Sequence, residues 1–417
     1  MTFASLPIPW LQIWLEAGRE GQVFTYANSP TTPAGIGDLV RVKLQGRPHT
    51  GLVVDWLDQL PASLSDKTIQ PILEVWQRAA VDPDWQKLME RVAAECHTSL
   101  FKTLKSALPP GWLGQRSQGP SRPSRAIWLV ERSAAAIPSQ PLTERQQQLL
   151  EHLERHNGPM PLRQLCGEGG FSRAVLKGLE ARGLVRRLQA PPDSRGAGLA
   201  PAHWPALTEA QAAALQALAL AQPGEEFLLW GVTGAGKTEV YLQGAARALE
   251  AGQGVLLLTP EIGLIPQLLD RARNRFDCRV VEFHSGISDG ARVAAWRRCL
   301  AAEAVVVVGT RSAIFLPMAN LGLIVLDEEH DSSYKQDSPM PCYHAREVAR
   351  LRARSSGALL LLGSATPSLE SWLSCQGPQP TTRLLRLPER IGSRPLPAVR
   401  VIDMRHELAD GHRRLIS

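Results

Sequence analysis

The sequence predicts a multidomain α/β fold in which a parallel-sheet lobe follows two smaller units. Three observations predict it. At 417 residues the chain is too long for one ordinary domain. Two stretches rich in Pro, Gly, Ser and Arg break the apolar pattern as linkers do: LPPGWLGQRSQGPSRPSR, ending at Arg125, and QAPPDSRGAGLAPAHWP, ending at Pro205. Beyond the second, six apolar runs alternate with helical stretches: FLLWG, GVLLLTP, VVEFHSG, AVVVVGT, LGLIVLDEEH and ALLLLGSATP. That is the pattern of buried parallel strands with crossover helices. The expected units are residues 1–108, 125–190 and 205–417.

In the first unit, the alternating apolar residues Leu39, Val40, Val42 and Leu44 and the run Leu52 to Val54 flank a turn containing Gly and Pro. This predicts a β-hairpin in a small barrel or sheet. Two Trp-containing helical patterns follow, around Ile72 to Trp76 and Trp85 to Leu100. In the second unit Thr143 and Gln146 make a capping box, and Leu149, Leu150 and Leu153 an apolar stripe. A helix over Ser172 to Ala181 ends at Gly183 before the strand-like LVRRL. Three helices and a strand in this order suggest a winged helix, with Arg173, Lys177, Arg182, Arg186 and Arg187 on an edge suited to phosphates. The alternative is a spacer domain with a solvated basic face.

A net charge of +6 suits an anionic partner but is modest for this length. The start, MTFASLPIPWLQIW, lacks the basic opening and long apolar run of a signal peptide, and no later run reaches spanning length. A cytoplasmic protein without membrane contact is expected. Its six cysteines, Cys96, Cys166, Cys278, Cys299, Cys342 and Cys375, are scattered without a C-x-x-C pair, and are expected to be reduced packing residues.

The chemistry concentrates in the third unit. GVTGAGKT, Gly231 to Thr238, matches G-x-x-x-x-G-K-[ST] between a strand and a helix. Glycines 231, 234 and 236, with Val232, Thr233 and Ala235 between them, let backbone N–H groups close on phosphates. Lys237 neutralises their charge and Thr238 offers a hydroxyl to Mg²⁺. Downstream, LIVLDEEH delivers Asp327 and Glu328 at the end of a buried strand. Phosphoryl transfer needs one carboxylate on the metal and a group to orient water, so Asp327 is the expected Mg²⁺ partner and Glu328 the base. Upstream, Gln211 in LTEAQ offers an amide with both a donor and an acceptor for adenine. A surface helix glutamine reads the same way.

LTPEIGLIPQ, HSGISD, GTRSAIF, DEEHDSSYKQ, YHAREVA and GSATPSLES, in this order after GVTGAGKTEVY, resemble the first motor lobe of the PriA family, the primosomal replication-restart helicases. The resemblance is specific from Leu207 to about Glu370 and looser over the two earlier units. It implies a RecA-like parallel-sheet motor lobe preceded by a small β-rich, 3′-DNA-end-binding domain and a winged helix. It also implies an ATP- and Mg²⁺-dependent 3′-to-5′ superfamily-two DNA helicase, with forked and single-stranded DNA, single-strand-binding protein and other primosome proteins as partners. His330 with Ser364, Ala365 and Thr366 would couple hydrolysis to DNA movement. PEIG from Pro260 and GTRSA from Gly309, with Arg311, would line the single-strand path. DSSYKQDSPMPCYHAR is similar to the family's aromatic-rich loop: Tyr334, Tyr343 and His344 would stack on bases, and Lys335 and Arg346 would meet the backbone, the alternative being tyrosines that pack the loop against the lobe.

The chain departs from the family pattern in three places. Thr25, between Phe24 and Tyr26, stands where the family has an acid, and KLQGRPHTG differs from the usual hairpin. After Ser417 the family continues into cysteine-rich zinc motifs and a second lobe bearing an arginine finger, so zinc is expected for the family but its Cys ligands are absent from this chain. Loss of such a finger costs about 10³ or more in rate, so a truncated chain that binds nucleotide and hydrolyses it weakly is expected. The rival readings are another superfamily-two DNA translocase and a non-catalytic fork-binding scaffold.

Overall fold

The computed structural model describes residues 10–15, 22–29, 31, 33–110, 112–113, 127–133, 141–156, 160–161, 165, 171–190, 204–276, 280–301, 305–393, 402 and 405. Cys166, Cys278, most of both linkers and the expected middle helix of the second unit lie outside the described residues. Among the described residues, no helix is long and apolar enough to cross a membrane.

The first unit is a five-stranded antiparallel sheet of β1 (Trp10–Leu15), β2 (Val23–Ala27), β3 (Leu39–Leu44), β4 (Arg47–Leu57) and β5 (Glu74–Gln77), in the order β2-β1-β4-β3-β5. The expected hairpin is β3–β4, closed by Gln45 and Gly46 at φ 49° and 79°. Positive φ at both central residues matches the twist of the paired strands. The helical pattern expected around Ile72 to Trp76 is instead β5, an edge strand on β3. Pairing with β3 decides it: Glu74 lies opposite Arg41, 3.4 Å from its guanidinium. The second pattern does fold as helices, Pro83–Glu95 and Leu100–Ala107, with Asp82 and Ser99 as N-caps.

The second unit pairs β6 (Ile127–Arg132) with β7 (Met160–Pro161) and β8 (Val185–Ala190). Against them lie helices Glu144–His156, opened by the expected Thr143–Gln146 box, and Arg173–Ala181. Its basic edge is partly neutralised, because Arg186 pairs with Glu131 and Arg187 with Glu180, while Lys177 is exposed.

The third unit is a parallel sheet of seven strands: β9 (Glu226–Gly231), β10 (Gly254–Leu258), β11 (Val280–Phe283), β12 (Val306–Gly309), β13 (Leu321–Asp327), β14 (Leu359–Ser364) and β15 (Thr382–Leu387). The order is β11-β12-β10-β13-β14-β9-β15. Strand neighbours alternate between two cores. Leu256, Leu258, Ile324, Leu326, Leu360 and Leu362 enter one, and Val255, Leu257, Leu323, Val325 and Leu361 the other. Both faces are covered, which is why the strands read as unbroken apolar runs.

The first core does not stop at the lobe, for it includes Trp85, Leu88 and Met89 from the first unit and Trp112 from the stretch that follows it. Trp85 Nε1 donates to the Phe315 carbonyl at 2.6 Å, and Trp296 Nε1 to the Ala80 carbonyl at 3.0 Å. The Trp296 ring meets those of Trp85 and Trp112 edge-on, with centroids 5.5 and 5.6 Å away.

Candidate nucleotide-binding site

Ligands of open α/β sheets bind beyond the strand carboxyl ends. Here β9, β14 and β13 lie side by side and end in the phosphate-loop motif, GSATP and DEEH respectively. From Gly231 the loop turns through Gly234 and Gly236, at φ 84° and 80°, into helix Lys237–Glu250. Gly236 caps that helix without a side-chain hydrogen bond. A Cβ on Gly236 would sit 2.4 Å from Gln211 Nε2 and 2.6 Å from Ile391 Cδ1. The left-handed φ is what calls for glycine here, since the two crowding atoms are side-chain tips, and the helix amino terminus carries no side-chain cap that would compete with an anion.

Lys237 is 9% exposed; its Nζ donates to the Gly231 carbonyl at 3.2 Å and lies 3.5 Å from Glu328 Oε1. Glu328 has a left-handed φ of 47°, a conformation that costs a non-glycine residue about 1–3 kcal/mol and is retained mainly at functional sites. Asp327 accepts a 2.9 Å hydrogen bond at Oδ1 from the Tyr241 hydroxyl. Burial pushes its carboxyl above the usual range, although the Tyr241 bond works against that shift.

ATP fits this arrangement, since the loop supplies backbone donors and one buried cation. The Thr238 hydroxyl and the Asp327 carboxylate are oxygen donors of the kind Mg²⁺ takes, and they are the residues that would hold it. Zinc does not fit the described residues: Cys96, Cys299, Cys342 and Cys375 are free, and no group of three or more His, Cys, Asp or Glu side chains among those residues could hold a metal.

His330, Ser364 and Thr366 are brought together: His330 Nδ1 is 2.8 Å from Ser364 Oγ and Nε2 is 3.4 Å from Thr366 Oγ1. The same ring lies 3.7 Å from Glu328 Oε2. The Ala365 carbonyl accepts from Trp230 Nε1 at 3.1 Å. Gln211 is placed differently from its expected role. Its Oε1 accepts from the Thr208 N–H at 2.9 Å, and its Nε2 donates to the Ala235 and Gly236 carbonyls at 3.2 and 3.3 Å. The amide braces the phosphate loop, and the side chain is buried.

The expected DNA contacts need the larger correction. Tyr334 is fully buried, its hydroxyl 2.7 Å from the Asp327 carbonyl and 2.9 Å from that of Leu258. Tyr343 is buried edge-on against Phe315, centroids 4.8 Å apart. Neither ring presents a face to a base. His344 caps helix Ala345–Ser356 by accepting the Arg346 N–H at 3.2 Å. Arg346 is buried and donates to Glu329 at 2.8 Å, so its charge is already matched. Arg311 donates to the carbonyls of Ser333 and Lys335 at 3.0 and 2.7 Å, which fastens it to the aromatic-rich loop. Lys335 is exposed.

Glu329 is a residue the motif reading passed over. It is fully buried and accepts from the Ser368 N–H at 2.7 Å, from Ser371 Oγ at 2.9 Å and from Arg346. Burial pushes its carboxyl up, but the Ser368, Arg346 and Ser371 bonds outweigh that and hold it below the usual range. The available signal was the second glutamate of DEEH, since only one was needed as a base.

A family model described as DEAD/DEAH box helicase matches residues 208–372, and a 3′DNA-binding domain model, that of PriA, matches residues 13–109. The replication restart protein PriA of Synechocystis is 36% identical over 98% of this chain and 58% of its own length. The PriA of Bacillus subtilis is 41% identical over 66% of this chain and 34% of that protein. The chain belongs to the PriA family. It therefore spans well under two thirds of the PriA proteins it matches. In a PriA chain, the helicase model covers all three strand ends that build the site, and the end-binding model covers the sheet and helices whose core continues into the lobe. A solved structure of RecG bound to a three-way DNA junction is 22% identical over 46% of this chain and 25% of that one. Its TM-score is 0.35.

Proposed function

We propose that this PriA-family chain is the ATP-binding and DNA-engaging part of an ATP-dependent 3′-to-5′ DNA helicase of the replication restart primosome. It acts in the cytoplasm on stalled or recombined forks. One observation carries the reading: the phosphate loop, Asp327 and Glu328 converge in a chain that aligns with a PriA protein over 98% of its length. ATP supplies the phosphoryl group whose transfer to water drives the motor.

In this reading the backbone from Gly231 to Thr238 holds the phosphates, and Lys237 turns from the Gly231 carbonyl and Glu328 to meet them. Thr238 and Asp327 hold Mg²⁺, and Glu328 orients water and takes its proton. Because the His330 ring lies between Glu328 and Ser364, a change at the base reaches Ser364, Ala365 and Thr366. Arg311 and Lys335 then act at the single-strand path as a fastened loop, Lys335 meeting phosphate and Arg311 fixing the loop's shape.

Residues 1–108 serve as a 3′-DNA-end-binding domain, 125–190 as a winged helix and 205–417 as the motor lobe. Forked and single-stranded DNA, single-strand-binding protein and other primosome proteins are the partners. The test is fork preference: at matched salt the chain should bind a fork with a nascent 3′ end at the branch more tightly than plain duplex. Equal affinity for the two would contradict the restart reading.

A further inference from the structure

We propose that Tyr241 is a positioning residue for the metal site, its hydroxyl holding the Asp327 carboxylate in the orientation that accepts Mg²⁺. The inference rests on the nucleotide-binding reading above. Tyr241 sits one turn into the helix that follows the phosphate loop, and its side chain is 1% exposed. Its hydroxyl lies 2.9 Å from Asp327 Oδ1. An ionised carboxylate only accepts, so the phenol is the donor.

The route of this bond makes it more than a chance contact. The helix follows β9, whereas Asp327 ends β13, and β14 lies between the two strands. Tyr241 must therefore cross β14 to reach the carboxylate. It crosses at Gly363, which is paired in register with Asp327. A Cβ on Gly363 would lie 1.7 Å from the Tyr241 hydroxyl oxygen and 2.7 Å from Cζ. The bare glycine of GSATP is the gap through which the phenol passes.

The bond joins the phosphate-loop helix directly to the carboxylate on the other side of the site. The phenol engages Oδ1 and the Glu328 backbone N–H also bonds the carboxylate, and the acceptor sites that are left serve a metal or its water. Donors behind a metal carboxylate fix its orientation, and their loss typically weakens metal binding by about 10- to 100-fold.

The experiment is Tyr241→Phe, which keeps the ring and removes only the hydroxyl. Binding of a fluorescent ATP analogue to the whole chain is measured in EDTA and across a Mg²⁺ titration. The expected result is nucleotide affinity in EDTA within about twofold of the parent, with the Mg²⁺ midpoint displaced upward roughly tenfold. Asp327→Asn should displace the midpoint by itself, and the double variant should be no worse than Asp327→Asn alone, because the hydroxyl acts through that carboxylate. An unmoved midpoint in Tyr241→Phe, or additive losses in the double variant, overturns the proposal. Loss of affinity in EDTA also overturns it, since the hydroxyl would then be supporting the fold. If the parent chain binds no nucleotide under any condition, the nucleotide reading itself fails, and this inference with it.

Discussion

At the scale of single residues, Glu329 shows how far burial can redirect a charged motif. Four donor groups surround its carboxylate, and the arginine among them is itself 6% exposed. Removing one partner of such a pair leaves an uncompensated buried charge, at a cost of about 3–5 kcal/mol. Arg346→Ala should therefore lower unfolding stability by that order in urea melts, and a loss below about 1 kcal/mol would show that water reaches the carboxylate. The pH dependence follows from the depressed carboxyl. Its contribution is full above the unfolded glutamate value and is lost as pH falls through the lower folded value. Parent and Glu329→Gln stabilities should thus converge on acidification from neutral pH. Spacing and strand context made it legible in the sequence that Lys237, Asp327 and Glu328 meet at the strand ends. The sequence could not distinguish Arg346, Tyr334 and Tyr343 as core residues, since an aromatic or arginine in a polar-looking loop has the same letters whether it faces solvent or a carbonyl.

At the scale of elements, all six strands expected in the lobe formed, because an unbroken apolar run is what a doubly covered sheet demands. The seventh, β15, escaped notice: TRLLRL breaks its apolar run with two arginines, as an edge strand can, and among the described residues it pairs with β9 alone. The segment around Ile72 to Trp76 failed in the opposite direction. Apolar residues at its ends suit a helical turn or a short strand equally, and β3 supplies the ladder that chooses. The tryptophan contacts between the first unit and the lobe imply that these elements are stabilised together. Trp296→Ala should remove about 3–5 kcal/mol and should speed amide exchange in β3 and β4 as well as around helix Asp289–Leu300. Unchanged protection in β3 and β4 would mean that the two units open independently.

At the scale of the whole molecule, the shared core places the first unit on the parallel-sheet lobe near the loop expected to meet DNA. Gln336 in that loop bonds Ser106 of the first unit at 3.3 Å, and the Tyr334 hydroxyl two residues earlier touches the carbonyl of Asp327. A continuous path of packed groups thus runs from the first unit to the backbone of Asp327. This joint was not legible in the sequence, because its hydrogen-bonded partners lie far apart along the chain: Trp85 is 230 residues from Phe315, and Trp296 is 216 residues from Ala80. In the proposed function the carboxyl ends of β9 and β13 form an ATP site within a chain that also grips DNA. The measurement that tests it most directly compares Lys237→Ala with the parent chain, titrating a fluorescent ATP analogue with Mg²⁺ and, separately, a labelled fork. The account predicts that nucleotide affinity falls about tenfold or more, the loss of a charge-assisted contact, while fork affinity stays within about twofold. Unaltered nucleotide binding, or an equal loss of both, would contradict it.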